Sequence, residues 1–448
     1  MALTGIQIFK LLPKTNCGEC GVPTCLAFAM NLAAGKAELA SCPYVSDEAR
    51  EQLAEASAPP IRPLTVGSGD TAVKIGGETV MFRHEKTFFN PPGIAGLVKD
   101  TDGDIAAKVK KWAGFQYERV GLNLRPELVF LECASGDAAK FEAAAKAVVD
   151  NSDLSLILAC EDAAVLAPAA KALKDKKPLI YAATGANADK MSALAGELGL
   201  PLAIKAVDLD EAMELSDELT AAGHKDLVID SGARDIAGVF QDQIAIRRAA
   251  LMKQNRTLGF PTICFASELG ESLDEQVVAA AMLISKYAGI IVLSDLTAEA
   301  VFPLLLERLN IYTDPQRPMT VTEGIYEIGG PSPDSPLLIT TNFSLTYFIV
   351  SGEIESSRVP AWLLIKDTEG LSVMTAWAAG KFSGDDVGMF VKKIKAEEKI
   401  NHKSLIIPGY AAAIAGDVEE ELPGWNIQVG PREAAHLTKF LKEWKPGA

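Results

Sequence analysis

The sequence predicts an α/β protein in three parts: a small cysteine-bearing N-terminal domain, a central (β/α)8 TIM barrel, and a C-terminal open, Rossmann-like α/β sheet. Three observations predict it. Cys17, Cys20, Cys25 and Cys42 cluster near the start of the chain, ahead of a proline-rich segment ending at Pro63. From about residue 76, short apolar runs alternate with helix-period segments eight times. Beyond residues 312–336, dense in proline and glycine, the alternation resumes with fewer strands. The expected boundaries are 1–57 for the cysteine domain, 58–75 for a linker, 76–312 for the barrel and 313–448 for the last sheet. A length of 448 residues accommodates two or three such domains.

In the first part, Ile6, Phe9 and Leu12 lie three apart on a short helix that Pro13 ends. The cysteines follow as Cys-x2-Cys-x4-Cys-x16-Cys, with Pro43 directly after the last. Three clustered thiolates plus one remote thiolate suit a 4Fe–4S cluster. Gly18, Gly21 and Pro23 let the backbone turn around the sulfurs. Structural zinc is the alternative, but it favours paired Cys-x2-Cys motifs or cysteine mixed with histidine. Here no histidine precedes His84. Seven cysteines, an odd count in a long chain, argue against a disulfide framework. Helices are expected over 26–34 and 47–56, and the proline-rich stretch 56–63 reads as semi-stiff linker.

Barrel strands are expected at 79–83, 128–133, 154–160, 179–183, 202–206, 227–230, 262–266 and 290–293. Helices are expected at 104–112, 138–149, 211–222, 244–252 and 273–287, with a terminal helix at 299–309. An open doubly wound sheet is the alternative; regular spacing and the count of eight favour closure. In the last part, strands are expected at 337–341, 361–366, 404–407 and 425–429, with helical segments at 346–351, 372–377 and 433–444. Three strand-end loops there suit a large hydrogen-bonding ligand. One offers Thr340, Thr341, Asn342, Ser344 and Thr346; another turns at Pro408-Gly-Tyr410 into Ala411–Ala415; the third, Gly430-Pro-Arg432, opens a helix whose free amides can hold an oxygen.

A net charge of −16 without a long basic tract excludes ordinary nucleic-acid binding. No apolar run reads as a membrane span, and the first sixteen residues lack the charged and apolar regions of a signal peptide, so a cytoplasmic location is expected. His84, His224, His402 and His436 are the only histidines, and none falls in an Asp-x-His-x-x-Gly pattern. Nucleophile-elbow, Walker and dinucleotide fingerprints are absent, and no catalytic residue is assigned. Asp230-Ser-Gly-Ala-Arg-Asp235 ends a barrel strand, where active sites occur, although capping of the next turn is the favoured reading. Cys133, Cys160 and Cys264 lie in apolar strands and read as inert core residues.

The motif Cys17-Gly-Glu-Cys-Gly-Val-Pro-Thr-Cys25 with Cys42-Pro43, and the stretch Phe82-Arg-His-Glu-Lys-Thr-Phe-Phe-Asn90, resemble the large subunit of the corrinoid iron–sulfur protein of the acetyl-CoA (Wood–Ljungdahl) pathway. The likeness spans the whole chain and its domain order. It implies a methyl carrier, a transferase component whose cobamide cobalt accepts a methyl group from methyltetrahydrofolate or a methyl-pterin through a methyltransferase. The cobalt then donates it to acetyl-CoA synthase/CO dehydrogenase. It implies a heterodimer with a smaller corrinoid-protein subunit, and a low-potential electron donor. Carried over by position, Cys17, Cys20, Cys25 and Cys42 would bind the 4Fe–4S cluster, which reduces Co(II) to Co(I). The corrinoid would be held by Thr341, Thr346, Gly370, Leu371, Ser372, Val373, Thr375, Gly409, Tyr410, Ala411, Gly430, Pro431 and Arg432. Absence of a histidine for cobalt's lower face fits easier reduction. The competing readings are an iron–sulfur TIM-barrel oxidoreductase using a flavin or another cofactor, and a zinc-bearing scaffold.

Overall fold

The structure, a computed structural model, describes residues 5–33, 37, 39–46, 49, 50, 53, 59–119, 122–314 and 316–446. It divides into two units, residues 1–116 with 125–312, and residues 117–124 with 313–448. In the N-terminal segment, helices Gly5–Leu11 and Cys25–Ala33 pack Ile8, Leu12, Phe28 and Ala29 around Cys25 and Cys42. The helix expected over 47–56 falls largely outside the described residues.

Residues 58–75 are not a simple linker. Strands β1 (Leu64–Val66) and β2 (Val73–Ile75) pair antiparallel, and the inward side chains Leu64, Val66, Val73 and Ile75 join the barrel core. Ser155, opening a barrel strand, donates its hydroxyl to the Thr71 carbonyl, which sets this hairpin at the amino-terminal end of the barrel. Prolines nearby obscured a period-2 pattern only three residues long in each strand.

The barrel strands are β3 (Gly93–Lys99), then β6 (Leu128–Glu132), β7 (Ser155–Ala159), β8 (Leu179–Ala183), β9 (Leu202–Lys205), β10 (Leu227–Asp230), β11 (Ile263–Phe265) and β12 (Ile290–Leu293). The intervening β4 (Tyr117–Arg119) and β5 (Leu122–Leu124) form a hairpin belonging to the second unit. All eight barrel strands run parallel in the order β10-β9-β8-β7-β6-β3-β12-β11, and a parallel bridge from Ile229 to Thr262 joins the two ends. Seven of the eight expected strands lie where the pattern placed them. The eighth does not: residues 79–83 form a turn, with the Met81 and Phe82 amides donating to Glu85. The true first strand, β3, carries Gly93 and Gly96, which dilute its β signal. Those glycines are required sterically, because a Cβ at Gly96 would lie 2.6 Å from the Trp112 ring.

The stretch 82–90 acts on the far end of the barrel sequence. Arg83 donates to the carbonyls of Asn310 and Ile311 (2.6 and 2.7 Å), and Thr87 donates to that of Tyr312. These are orphan carbonyls closing the last barrel helix, Ala298–Ile311. A cation at a helix carboxyl end is also favoured by the macrodipole.

The second unit is an open five-stranded sheet, β13 (Gly324–Ile328), β14 (Leu337–Thr341), β15 (Ala361–Lys366), β16 (Ser404–Ile407) and β17 (Asn426–Val429), in the order β13-β15-β14-β16-β17. Only β13 is antiparallel; it lies in the segment expected to be a transition, where flanking glycines and prolines masked an edge strand. The parallel strands run 2-1-3-4 in sequence order, so the switch point falls between β14 and β16. Alternate side chains face two cores: Leu337, Ile339, Leu405 and Ile407 on one face, Leu338, Leu363 and Ile406 on the other.

Candidate cofactor sites

Among the four N-terminal cysteines, Cys25 and Cys42 are buried, Cys20 is half-buried and Cys17 is exposed. Gly18 and Gly21 take φ of +77° and +79°, turns that only glycine adopts cheaply. Asn16 clamps the loop: its side-chain oxygen accepts from the Cys25 amide (2.8 Å), while its own amide points at Cys25 Sγ (3.4 Å). Amide-to-sulfur bonds of this kind support a thiolate ligand. Cys20, Cys25 and Cys42 belong to one packed cluster. The side chains are not drawn into a convergent metal-binding group among the described residues. The all-thiol donor set, the glycine turns and the N–H···S contact fit an iron–sulfur cluster, with Cys17 outside the packed group.

At the carboxyl ends of β14, β16 and β17 lies a cavity of about 350 Å³. It sits at the switch point, where open α/β sheets place ligands. Thr346, Ser372, Val373, Tyr410, Gly430, Pro431 and Arg432 line it. Thr341, Gly370, Leu371, Thr375, Gly409 and Ala411 do not; Thr341 at the end of β14, and Gly409 and Ala411 in the loop after β16, are buried. Sequence reasoning missed Ile339, Ile349, Ile406 and Glu433, which line it too. Ordinary core or surface residues carry no motif to find them by.

The hydroxyls of Thr340, Thr341 and Ser344 are buried without hydrogen-bond partners, a state that costs about 1–3 kcal/mol for each group left unsatisfied. They mark the end of β14 as a place for a polar ligand. Asn342 ties this loop to the next: its oxygen accepts from the Thr368 and Gly370 amides at 3.0 Å, and its amide donates to Asp367. Of the lining residues, Ile349, Met374 and Tyr410 are exposed. Apolar surface of this extent suits a large, flat ligand or a protein partner. No histidine lines the cavity among the described residues; His402 packs on Trp444 instead.

At the carboxyl mouth of the barrel, Asp230 is only 2% exposed, and its carboxylate is already occupied. Tyr181 donates to it (2.6 Å) and Arg234 forks onto both oxygens (2.9 and 2.7 Å). Arg234 also pairs with Glu268 and stacks over Phe265. Asp235 caps the helix Ile236–Met252 through the Gly238 amide. The motif therefore braces the mouth and caps a helix. Of the three strand cysteines, Cys264 is buried as expected, but Cys133 and Cys160 are half-exposed and line a cavity at this mouth. They lie one residue past β6 and β7, so they are not core residues.

The class follows from comparison with known families. The family model for the CO dehydrogenase/acetyl-CoA synthase delta subunit matches residues 63–441, and an Fe–S cluster model matches residues 12–44. Over the full length, the chain is 46% identical across 444 residues to the corrinoid/iron-sulfur protein large subunit of Moorella thermoacetica, covering 99% of both chains. It is 36% and 35% identical to the acetyl-CoA decarbonylase/synthase complex gamma subunits of Methanopyrus kandleri and Archaeoglobus fulgidus, covering 98% of each. The chain belongs to the family of corrinoid/iron-sulfur protein large subunits.

Proposed function

We propose that this chain is the methyl-carrying subunit of an acetyl-CoA pathway corrinoid iron–sulfur protein. When bound, the corrinoid would supply cobalt-centred methyl-transfer chemistry between a methyltetrahydrofolate-dependent methyltransferase and acetyl-CoA synthase, and the 4Fe–4S cluster would supply reducing electrons for its reactivation. The observation that carries this reading is the switch-point cavity with an apolar rim, next to three buried hydroxyls without partners at the end of β14 and the start of the following helix. Cys17, Cys20, Cys25 and Cys42 hold the cluster. Thr346, Ser372, Val373, Tyr410 and the Gly430-Pro-Arg432 loop contact the corrinoid, and the hydroxyls of Thr340, Thr341 and Ser344 hydrogen-bond its polar side groups. The exposed rim beside the cavity receives the corrinoid's outer face and a smaller partner subunit, completing a cytoplasmic heterodimer. The chain's own work is binding, orientation and exclusion of water.

Anaerobic purification tests this. Corrinoid and broad iron–sulfur absorption, with a smaller subunit co-purifying, is the expected result. Flavin bands or a colourless zinc protein would refute it. In Cys20→Ala, reductive activation should be lost while a methyl group loaded beforehand is still donated; reactivation at the wild-type rate would remove the cluster's assigned role.

A further inference from the structure

Two thiols stand side by side at the mouth of the barrel. Strands β6 and β7 are in parallel register with Glu132 opposite Ala159, a pairing the Cys133 amide helps make by donating to the Ala159 carbonyl at 2.8 Å, and Cys133 and Cys160 are the next residue on each strand. Cys133 and Cys160 are thus direct cross-strand neighbours with side chains on the same side. Neighbouring strands lie about 4.8 Å apart, inside the Cα separation of roughly 4.4–6.8 Å that a disulfide spans. Both residues are half-exposed and both line a cavity of about 390 Å³.

We propose that Cys133 and Cys160 form a redox-active dithiol that closes a cross-strand disulfide by exchange with a low-molecular-weight disulfide.

The two sulfurs are not equivalent. Burial pushes the Cys133 thiol up to about 12. Burial also raises the Cys160 thiol, a rise opposed first by the Asp162 backbone and then by the neighbouring Cys133 side chain. In one order of exchange, Cys160 attacks as its thiolate. Its sulfur bonds to one sulfur of the small disulfide and expels the other as a thiolate. Cys133 then gives up its proton, attacks Cys160 Sγ and expels the second small thiolate. Two protein thiols are oxidised to one disulfide, one small disulfide is reduced to two thiols, and the two protons end on those products.

The test treats the anaerobic holoprotein with oxidised glutathione, quenches with N-ethylmaleimide and maps tryptic peptides. Residues 120–140 and 147–171 each carry one cysteine. The expected product is these two peptides cross-linked, separable by dithiothreitol. In Cys133→Ser and in Cys160→Ser the remaining cysteine should retain a stable glutathione adduct, because the resolving thiol is gone. Wild-type protein in which both peptides are recovered alkylated, or each with its own stable glutathione adduct, overturns the proposal; because it uses the native chain, that result does not depend on the variants folding.

Discussion

Gly409→Ala probes how closely two loops of the C-terminal cavity must approach. A Cβ at this position would lie 2.6 Å from each of three backbone atoms, the Arg432 nitrogen, the Gly430 oxygen and the Pro431 carbonyl carbon. Ordinary contact is about 3.5 Å, so each pair is roughly 0.9 Å too close. Backbone atoms cannot swing aside as a side chain does. The 430–432 loop must shift by about that distance, stretching the bond from the Gly409 amide to the Pro431 carbonyl, now 3.2 Å. Overpacking of this kind costs about 1–3 kcal/mol, and a lost hydrogen bond adds about 1 kcal/mol. Because Gly430, Pro431 and Arg432 form one wall of the cavity, the same shift should lower bound corrinoid; a loss of about 1.4 kcal/mol there is tenfold in affinity. The assay is urea unfolding of the C-terminal unit followed in parallel with cobalt per chain. Gly416→Ala is the control, since a Cβ there meets nothing within 4 Å and the residue lies inside the helix Ala415–Glu421. Equal unfolding midpoints and equal cobalt content in the two variants would refute the steric argument.

Three further outcomes are expected. Arg247, 2% exposed, donates to Glu78 at 2.9 Å and lies over the rings of Phe88 and Tyr287; Arg247→Met should cost about 3–5 kcal/mol in urea unfolding by stranding a buried carboxylate, and adding Glu78→Gln should recover part of it. The Arg125 hydrogen bond holds the Asp153 carboxyl below its ordinary value. Its contribution is therefore present above the unfolded value of about 3.9 and disappears as pH falls through the lower folded value. The carboxylate is 51% exposed, so less than about 1 kcal/mol is at stake, and Asp153→Asn should flatten the Tm-against-pH curve only below about pH 4. Ser383→Ala removes a capping box with Asp386 at the start of the helix Gly384–Lys393 and should lower stability by about 1 kcal/mol in the same unfolding assay.

Local chemistry made much of this protein legible. Seven barrel strands and all four parallel strands of the last sheet announced themselves as short apolar runs, because a strand buried on both faces needs nothing else. The cysteine spacing was equally legible, since the cysteines and their turn glycines are adjacent in sequence. β3 and the β1–β2 hairpin were not, for opposite reasons. In β3, glycines demanded by Trp112 and Leu128 erased the propensity signal. In the hairpin, strands of three residues are too short to show a period. The purpose of Arg83 was likewise hidden, as its partners lie 227 and 228 residues away.

By itself the sequence determined the α/β class, the cysteine spacing and the polar strand-end loops, because each depends on residues within a few positions of one another. The tertiary structure alone decided the rest. It set strand order, hence the switch point, and it selected which of the loop residues face the cavity. It left three buried hydroxyls, on Thr340, Thr341 and Ser344, without partners. It also turned Asp230 into a brace by delivering Tyr181 and Arg234 to it, and laid Cys133 beside Cys160. These are properties of register and closure, which bring distant residues within bonding reach and which no local pattern encodes.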